Sequence, residues 1–352
     1  MPIQQPTHRG TVRAQHVALA CAALLLGAVS LPLQAQSYHI AKTVPLTGDG
    51  GWDYLTFDST AHRLFIAHST QVLVVDAESG SLLGQVQGLN GAHGVALALT
   101  EGHGFASSGR DSSVTMFDLK TYHVLKKFTA AEDADAILYD PASQHVFSFN
   151  GDANSSSVID PVSGTVIGTI DLGGKPEFGV SAFDGTLFVN LEDKAEIVQI
   201  DAKAMTVTRR WPLAPCEEPT GLAIDRVHHR LFSGCSNQVM AISDATNGRL
   251  ITTLPIGKGV DGCAFDPGTN LAFSSNGEGS LTVIHEDSPD SFHVAATVPT
   301  KRGARTMTLD PKTHRVFTAT ADYGATPAAT TENPRPRPAI VPGTFVLLVL
   351  EQ

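Results

Sequence analysis

Basic residues are scarce in this chain: its 352 residues carry 24 lysines and arginines against 35 aspartates and glutamates, a formal net charge of −11. A chain so acidic repels phosphate backbones, which argues against general nucleic-acid binding. Charge of either sign is sparse too, at 17%, while 42% of residues are hydrophobic, and that balance excludes a disordered chain. Helical periodicity is missing: beyond residue 35 no segment sustains a 3.6-residue apolar repeat over three turns, so strands dominate. Missing as well are a Ser-His-Asp order, a nucleophile elbow, a metal-ligand motif and a cofactor fingerprint. No apolar run after the first is long enough to span a bilayer.

The first run has its own logic. Arg9 and Arg13, with no acid nearby, precede an apolar stretch from Val17 to Leu33 and a small residue at Ala35. That order reads as a secretory signal peptide over residues 1–35, cleaved after Ala35, and predicts a periplasmic or secreted protein. A membrane anchor is the alternative, against which Gly27, Ser30 and Pro32 interrupt the run. Cys21 sits too early for a lipoprotein site. Cleavage removes two arginines and no acid, taking the net charge from −11 to −13. The mature chain, from residue 36, is expected to be a soluble monomer with no membrane span.

A repeat organises the remainder. An aspartate closes an apolar run at Asp58, Asp140, Asp184, Asp225, Asp266 and Asp310, with Ala98 in the second unit's equivalent place. The steps run between 40 and 44 residues, giving seven units of propeller length, each reading as four short strands separated by turn formers such as Glu78-Ser79-Gly80. The fold class is therefore all-β, a seven-bladed β-propeller of four-stranded blades over 36–352. The seventh unit ends at Gln352 after three strands, while Tyr38 to Leu46 stands before the first complete set. Docking that segment as the fourth strand of the last blade closes the ring and removes two open edges.

The units, with Phe147-Ser148-Phe149-Asn150 and Val158-Ile159-Asp160-Pro161 among them, resemble the YVTN-repeat, YncE-like family of exported bacterial seven-bladed propellers, WD40-like in architecture. The resemblance covers about Tyr38 to Leu350 and implies fold and export. It implies no activity, since propellers host unrelated functions.

The first residues of each innermost strand line the channel mouth. One position per blade results: Asp53, His93, Asp135, Glu177, Thr220, Asp261 and Arg305, six of the seven ionisable. Asp53, His93, Asp135, Glu177 and Asp261 form a candidate ligand set for a divalent cation; its oxygen-rich character suits calcium, magnesium or manganese. Arg305 would hold a carboxylate or phosphate. The plainer reading is a water-filled channel in which arginine and acids neutralise one another. His68 and Asn150, at equivalent strand ends, are the preferred additional ligand contacts.

Cys216 and Cys235 flank the first hairpin of the fifth blade, where pairing predicts a disulfide; a free Cys235 facing the ring competes with it. Cys263 reads as a packed thiol. A proline-rich insertion at 321–342 in the last blade is expected to be an extended loop on the ligand side, a lid or a solvated arm. Three functions follow: an exported propeller binding a small molecule, metal or envelope protein without chemistry of its own; a lactonase-like metal-dependent hydrolase or lyase with His93 as general acid or base; and an envelope scaffold or adhesion module.

Overall fold

The computed structural model describes residues 1–4, 6, 10, 38–330 and 336–352. The expected leader lies outside these except for a few positions, as does 331–335 in the proline-rich insertion. Seven antiparallel four-stranded sheets follow one another along the chain. Their innermost strands are Trp52–Asp58, Ala92–Ala98, Ala134–Asp140, Pro176–Ser181, Pro219–Asp225, Val260–Asp266 and Met307–Asp310. Each packs beside the next and the seventh beside the first, so the sheets form a closed ring of blades.

Closure comes from His39–Pro45, which pairs antiparallel with Val346–Glu351 and completes the seventh sheet. Just before it, Tyr38 is 3% exposed; its ring meets Phe273 edge-on at 5.1 Å and its hydroxyl donates to the carbonyl of His314 at 2.7 Å. Just after it, the Leu46 amide donates to the Phe345 carbonyl at 2.8 Å. One blade is thus sewn from both ends of the fold.

Sequence pattern follows position in the blade. Second strands such as Arg63–His68 meet neighbouring blades on both faces, so Leu64 through Ala67 are wholly buried and no alternation is visible. Outer strands reach solvent and leave Leu82, Leu83, Val124 and Leu125 exposed. The repeated aspartates are buried turn formers: Asp58 accepts the Thr60 and Ala61 amides at 3.0 and 3.1 Å, and Asp310 accepts that of Lys312 at 2.9 Å. In the fourth blade the strand ends at Ser181, which takes the aspartate's place and donates to Asp140. Asp184 lies beyond that strand and accepts the Thr186 amide instead.

Serines, threonines and asparagines stitch the innermost strands together. Ser107 donates to the Asp135 carbonyl, Ser275 to that of Arg305, Thr306 to that of Asp53 and Thr220 to that of Val260. Glycine matters where strands approach closest: a Cβ on Gly221 would lie 2.8 Å from the backbone nitrogen of Cys263 in the next blade. Cys216 and Cys235 form a disulfide with their Cα atoms 5.5 Å apart, and Cys263 is free.

The insertion departs from the expected extended loop at its base. Tyr323 and Ile340 form an antiparallel bridge, the Gly324 amide donates to Ala339 and the Val341 amide to Asp322, each at 2.8 Å. Apolar burial drives this folding back: Tyr323 and Ile340 pack on the cluster containing Trp52 and Phe345. Among the described residues no helix is long and apolar enough to cross a membrane.

Candidate functional site

The upper face carries the blade-to-blade connections and the loops between second and third strands. There the innermost strands place Asp53, His93, Asp135, Glu177, Thr220 and Asp261 at matching second positions, with Arg305 just ahead of the shorter seventh strand. The hydrogen bonds from Ser107, Ser275 and Thr306 fix the backbones of Asp135, Arg305 and Asp53 and so aim their side chains.

The ring divides into two ionic groups, one running through Asp135, His93, Asp53, Arg305 and Asp261 and the other centred on Lys175. His93 Nδ1 lies 2.6 Å from Asp53 Oδ2 and 3.1 Å from Asp135 Oδ1. Arg305 reaches Asp53 at 3.2 Å and pairs with Asp261. Lys175, from the loop ahead of the fourth blade, lies 3.6 Å from Glu177 and 2.6 Å from Glu192. Asp53, His93 and Asp135 thus converge with their donor atoms all within 4.8 Å, a set able to hold a cation. Glu177 and Asp261 engage Lys175 and Arg305 instead of joining that set. Thr220 uses its hydroxyl on the neighbouring blade.

Burial dominates the electrostatics. It pulls the His93 imidazole down, but hydrogen bonds and charge from Asp135 and Asp53 outweigh it and lift the group to about 10. Burial, then the charges of Asp135 and Glu192, push the Glu177 carboxyl up to about 8 against the pull of Lys175. Burial likewise raises the Asp135 carboxyl against the effect of His93. The acidic ring is therefore partly neutralised by protons and by the chain's own cations.

One residue further along, two rings meet across the axis. Tyr54 of the first blade meets Phe178 of the fourth, ring centroids 5.0 Å apart and edge-on, and blades 1 and 4 stand across the ring from each other. Tyr54 is buried, and burial followed by the charges of Asp135, Glu177 and Asp53 raises its phenol well above the ordinary value. An aromatic pair thus spans the ring just below the channel mouth.

Neither His68 nor Asn150 is open to a ligand. Asn150 is wholly buried and donates to Ser155 and Ser157 inside its blade at 3.2 and 3.1 Å. His68 is 1% exposed and stacked on Phe345 with centroids 4.4 Å apart. Both side chains stand at strand ends as the repeat indicates, but Asn150 is spent inside its own blade and His68 is covered by Phe345 of the seventh blade and by the chain at Gly48.

A site absent from the ring inventory adjoins Arg305. A cavity of about 450 Å³ lies between the first, sixth and seventh blades and the base of the insertion. Arg302, Arg305 and Arg337 supply its charge, Trp52 and Tyr323 its aromatic walls. Arg302 lies over the Tyr323 ring, 5.2 Å from its centroid. Arg305 is matched by acids, whereas among the described residues neither Arg302 nor Arg337 has a carboxylate within ion-pair distance. A larger cavity, about 570 Å³, lies among the opposite-face turns of blades 3 to 5, with Asp184, Asp201, Lys203 and Arg209 in its wall and no aromatic ring. The signal for the upper cavity was Lys301-Arg302-Gly303-Ala304-Arg305 together with Arg337, visible as a local basic run but meaningful only once the insertion folds back.

No protein-family model matches the chain, and no curated protein matches its sequence. Solved structures do. WD40 repeats of RRP9 superpose with a TM-score of 0.74 at 10% identity, over 90% of this chain and 99% of that one. A chain of the mitotic checkpoint complex gives 0.73 at 12%, over 96% and 99%. A chain of Kuenenia stuttgartiensis hydrazine synthase gives 0.69 at 15%, over 77% and 93%. At these identities the likeness is one of fold: the chain is a seven-bladed, WD40-like β-propeller.

Proposed function

We propose that this propeller binds a small aromatic anion, a carboxylate or phosphate, in the cavity between Arg302, Arg337, Trp52 and Tyr323. The observation that carries the reading is a pair of guanidiniums with no acidic partner among the described residues, flanking aromatic walls in a chain of net charge −11. Guanidiniums pair with planar anions through parallel N–H bonds, and aromatic side chains cover flat rings. The volume falls in the range of small-molecule pockets. Arg305 joins the cavity to the axial ring, so occupancy and ring charge are linked.

The reading includes membership of the YVTN-repeat, YncE-like propellers and export to the periplasm or beyond. Supporting it are the repeat motifs, the Arg9-to-Ala35 order, and a disulfide of the kind that persists in oxidising compartments. A second reading, a cation at Asp53, His93 and Asp135 serving hydrolysis or elimination, is favoured by the convergence of those donors. Replacing His93 by alanine and titrating manganese by calorimetry tests it; unchanged binding sinks it.

The molecule carries its own reporter for the leading reading. It has two tryptophans, of which Trp52 lines the cavity and Trp211 packs in a separate core cluster. In Trp211→Phe, titration with benzoate and phenyl phosphate should change Trp52 fluorescence saturably, and benzyl alcohol should not. Equal responses to the neutral and charged compounds would refute an anion site.

A further inference from the structure

On the face opposite the cavity, the sixth blade departs from the other six. Its third and fourth strands, Ser280–Ser288 and Ser291–Pro299, run nine residues each, where the corresponding strands elsewhere have six or seven. Glu286, whose amide donates to the Asn270 carbonyl, takes a place that Ala77, Leu119, Ala202 and Ala245 fill in other blades, and it faces the first turn of the fifth blade, where Asp225 and His228 stand. Strand alternation turns Glu286 inward and His285 and Asp287 outward.

The three side chains meet without being satisfied. His228 Nδ1 lies 2.7 Å from Asp225 Oδ2 and 2.9 Å from Glu286 Oε1, yet it makes a hydrogen bond of proper geometry to neither. Glu286 is 4% exposed and both its carboxylate oxygens lack a hydrogen-bond partner. Asp225 is 2% exposed and accepts only the Val227 and His228 amides of its own turn. The nearby cation does not relieve them: Arg230 donates to the carbonyls of Pro289, His228 and His229 and to Asp290. Two buried carboxylates therefore face one ring nitrogen, which carries at most one proton and can direct it at only one of them. Burying such a pair is unfavourable unless a proton or an ion between them takes up lone pairs.

We infer that Asp225, His228 and Glu286 form a divalent metal site of zinc-type chemistry that pins the sixth blade to the fifth. All three donor atoms lie within 4.8 Å of one another, and the 2.7 and 2.9 Å separations are shorter than the roughly 3.3–3.6 Å edges of a tetrahedral shell with bonds of about 2.0–2.2 Å, so a bound ion spreads His228 from both acids by about half an ångström. One imidazole nitrogen with two carboxylates suits zinc or manganese; calcium and magnesium prefer all-oxygen shells. The His228 side chain is 39% exposed, which gives the ion a path from solvent and leaves room for a bound water. The neighbouring outward group differs in kind: His285 and His293 are already hydrogen-bonded to Asp287 at 2.9 and 2.7 Å and need no ion.

Equilibrium dialysis of the untagged mature protein against zinc chloride tests the site, in a His285→Ala, His293→Ala background that silences the outward histidines. Glu286→Gln keeps the shape of the side chain, and His228→Ala alters a half-exposed ring. Asp225 is left alone because it holds its turn. Each variant should bind one equivalent of zinc fewer than the background protein, and zinc should raise the background's unfolding midpoint by more than that of either variant. The axial residues are unchanged throughout and cancel in the difference. Zinc stoichiometry equal to the background's in either variant would overturn the assignment.

Discussion

Replacing Tyr38 by alanine should destabilise the entire propeller, although the residue lies outside every sheet and just ahead of the closing strand. Three contributions are removed. The buried ring loses its transfer free energy and leaves a cavity, a change that costs about 3–5 kcal/mol for aromatic-to-alanine substitutions. Within that figure sit the edge-on contact with Phe273, about 0.5–1.5 kcal/mol, and the hydrogen bond to His314, about 1 kcal/mol. Unfolding entropy near 2 cal/mol/K per residue makes each kcal/mol worth roughly 1.5 °C in a domain of about 300 residues, so the midpoint should fall by about 5–8 °C. Tyr38→Phe, which keeps the ring, should fall by only about 1–2 °C. Differential scanning calorimetry reads both, with Val162→Ala at an exposed turn as a control expected to stay near the parent. A midpoint for Tyr38→Ala within a degree of the parent would refute the structural role of the closing segment.

Other consequences are open to measurement. His93 and Glu177 both have folded-state values raised above their ordinary ones, to about 10 and about 8. Each therefore stabilises fully below its unfolded value, near 6.5 and 4.5, and loses that contribution as pH rises through the folded value. Urea midpoints should fall between pH 5 and 10. Glu177→Gln should flatten the acid half of that slope and raise stability near pH 7 by about 1–3 kcal/mol; a variant as pH-sensitive as its parent would contradict the placement of Glu177 beside Asp135. Reducing the Cys216–Cys235 disulfide, which closes a 19-residue separation, should cost about 3 kcal/mol in urea unfolding. Thiol titration of the denatured, unreduced mature chain should find Cys263 alone, whose buried thiol stands at about 12 when folded and is unreactive there; three thiols would contradict the pairing.

Features set by local chemistry could be read directly from the residues. The repeated aspartates marked the blades because each holds its turn by accepting from residues two or three places on, a constraint visible in any one unit. The closing strand was legible because the last unit lacked one and an unattached one stood at Tyr38 to Leu46. The fourth blade shows the limit of that logic: Ser181 does the aspartate's work, so the spacing to Asp184 misplaces the strand end by three residues. Ring membership followed from the same register, but the pairing within it did not. Which acid takes His93 and which takes Arg305 depends on approach between blades, which no periodicity records. The contact of Tyr54 with Phe178 across the axis, the covering of His68 by Phe345, and the meeting of Glu286 with Asp225 join residues far apart in sequence. Asn150 reads as a ligand contact, yet it is a fastener within its blade, and Ser107, which no motif singles out, is a fastener between blades.

The most direct test of the anion site is calorimetric titration of phenyl phosphate into the parent and into Arg302→Ala, Arg337→Ala. Neither arginine has a carboxylate within ion-pair distance among the described residues, so their removal leaves no acid stranded and the fold should be kept. The account predicts a weakening of at least tenfold per arginine, with the parent's affinity falling as salt rises. An affinity unchanged by loss of both would contradict it.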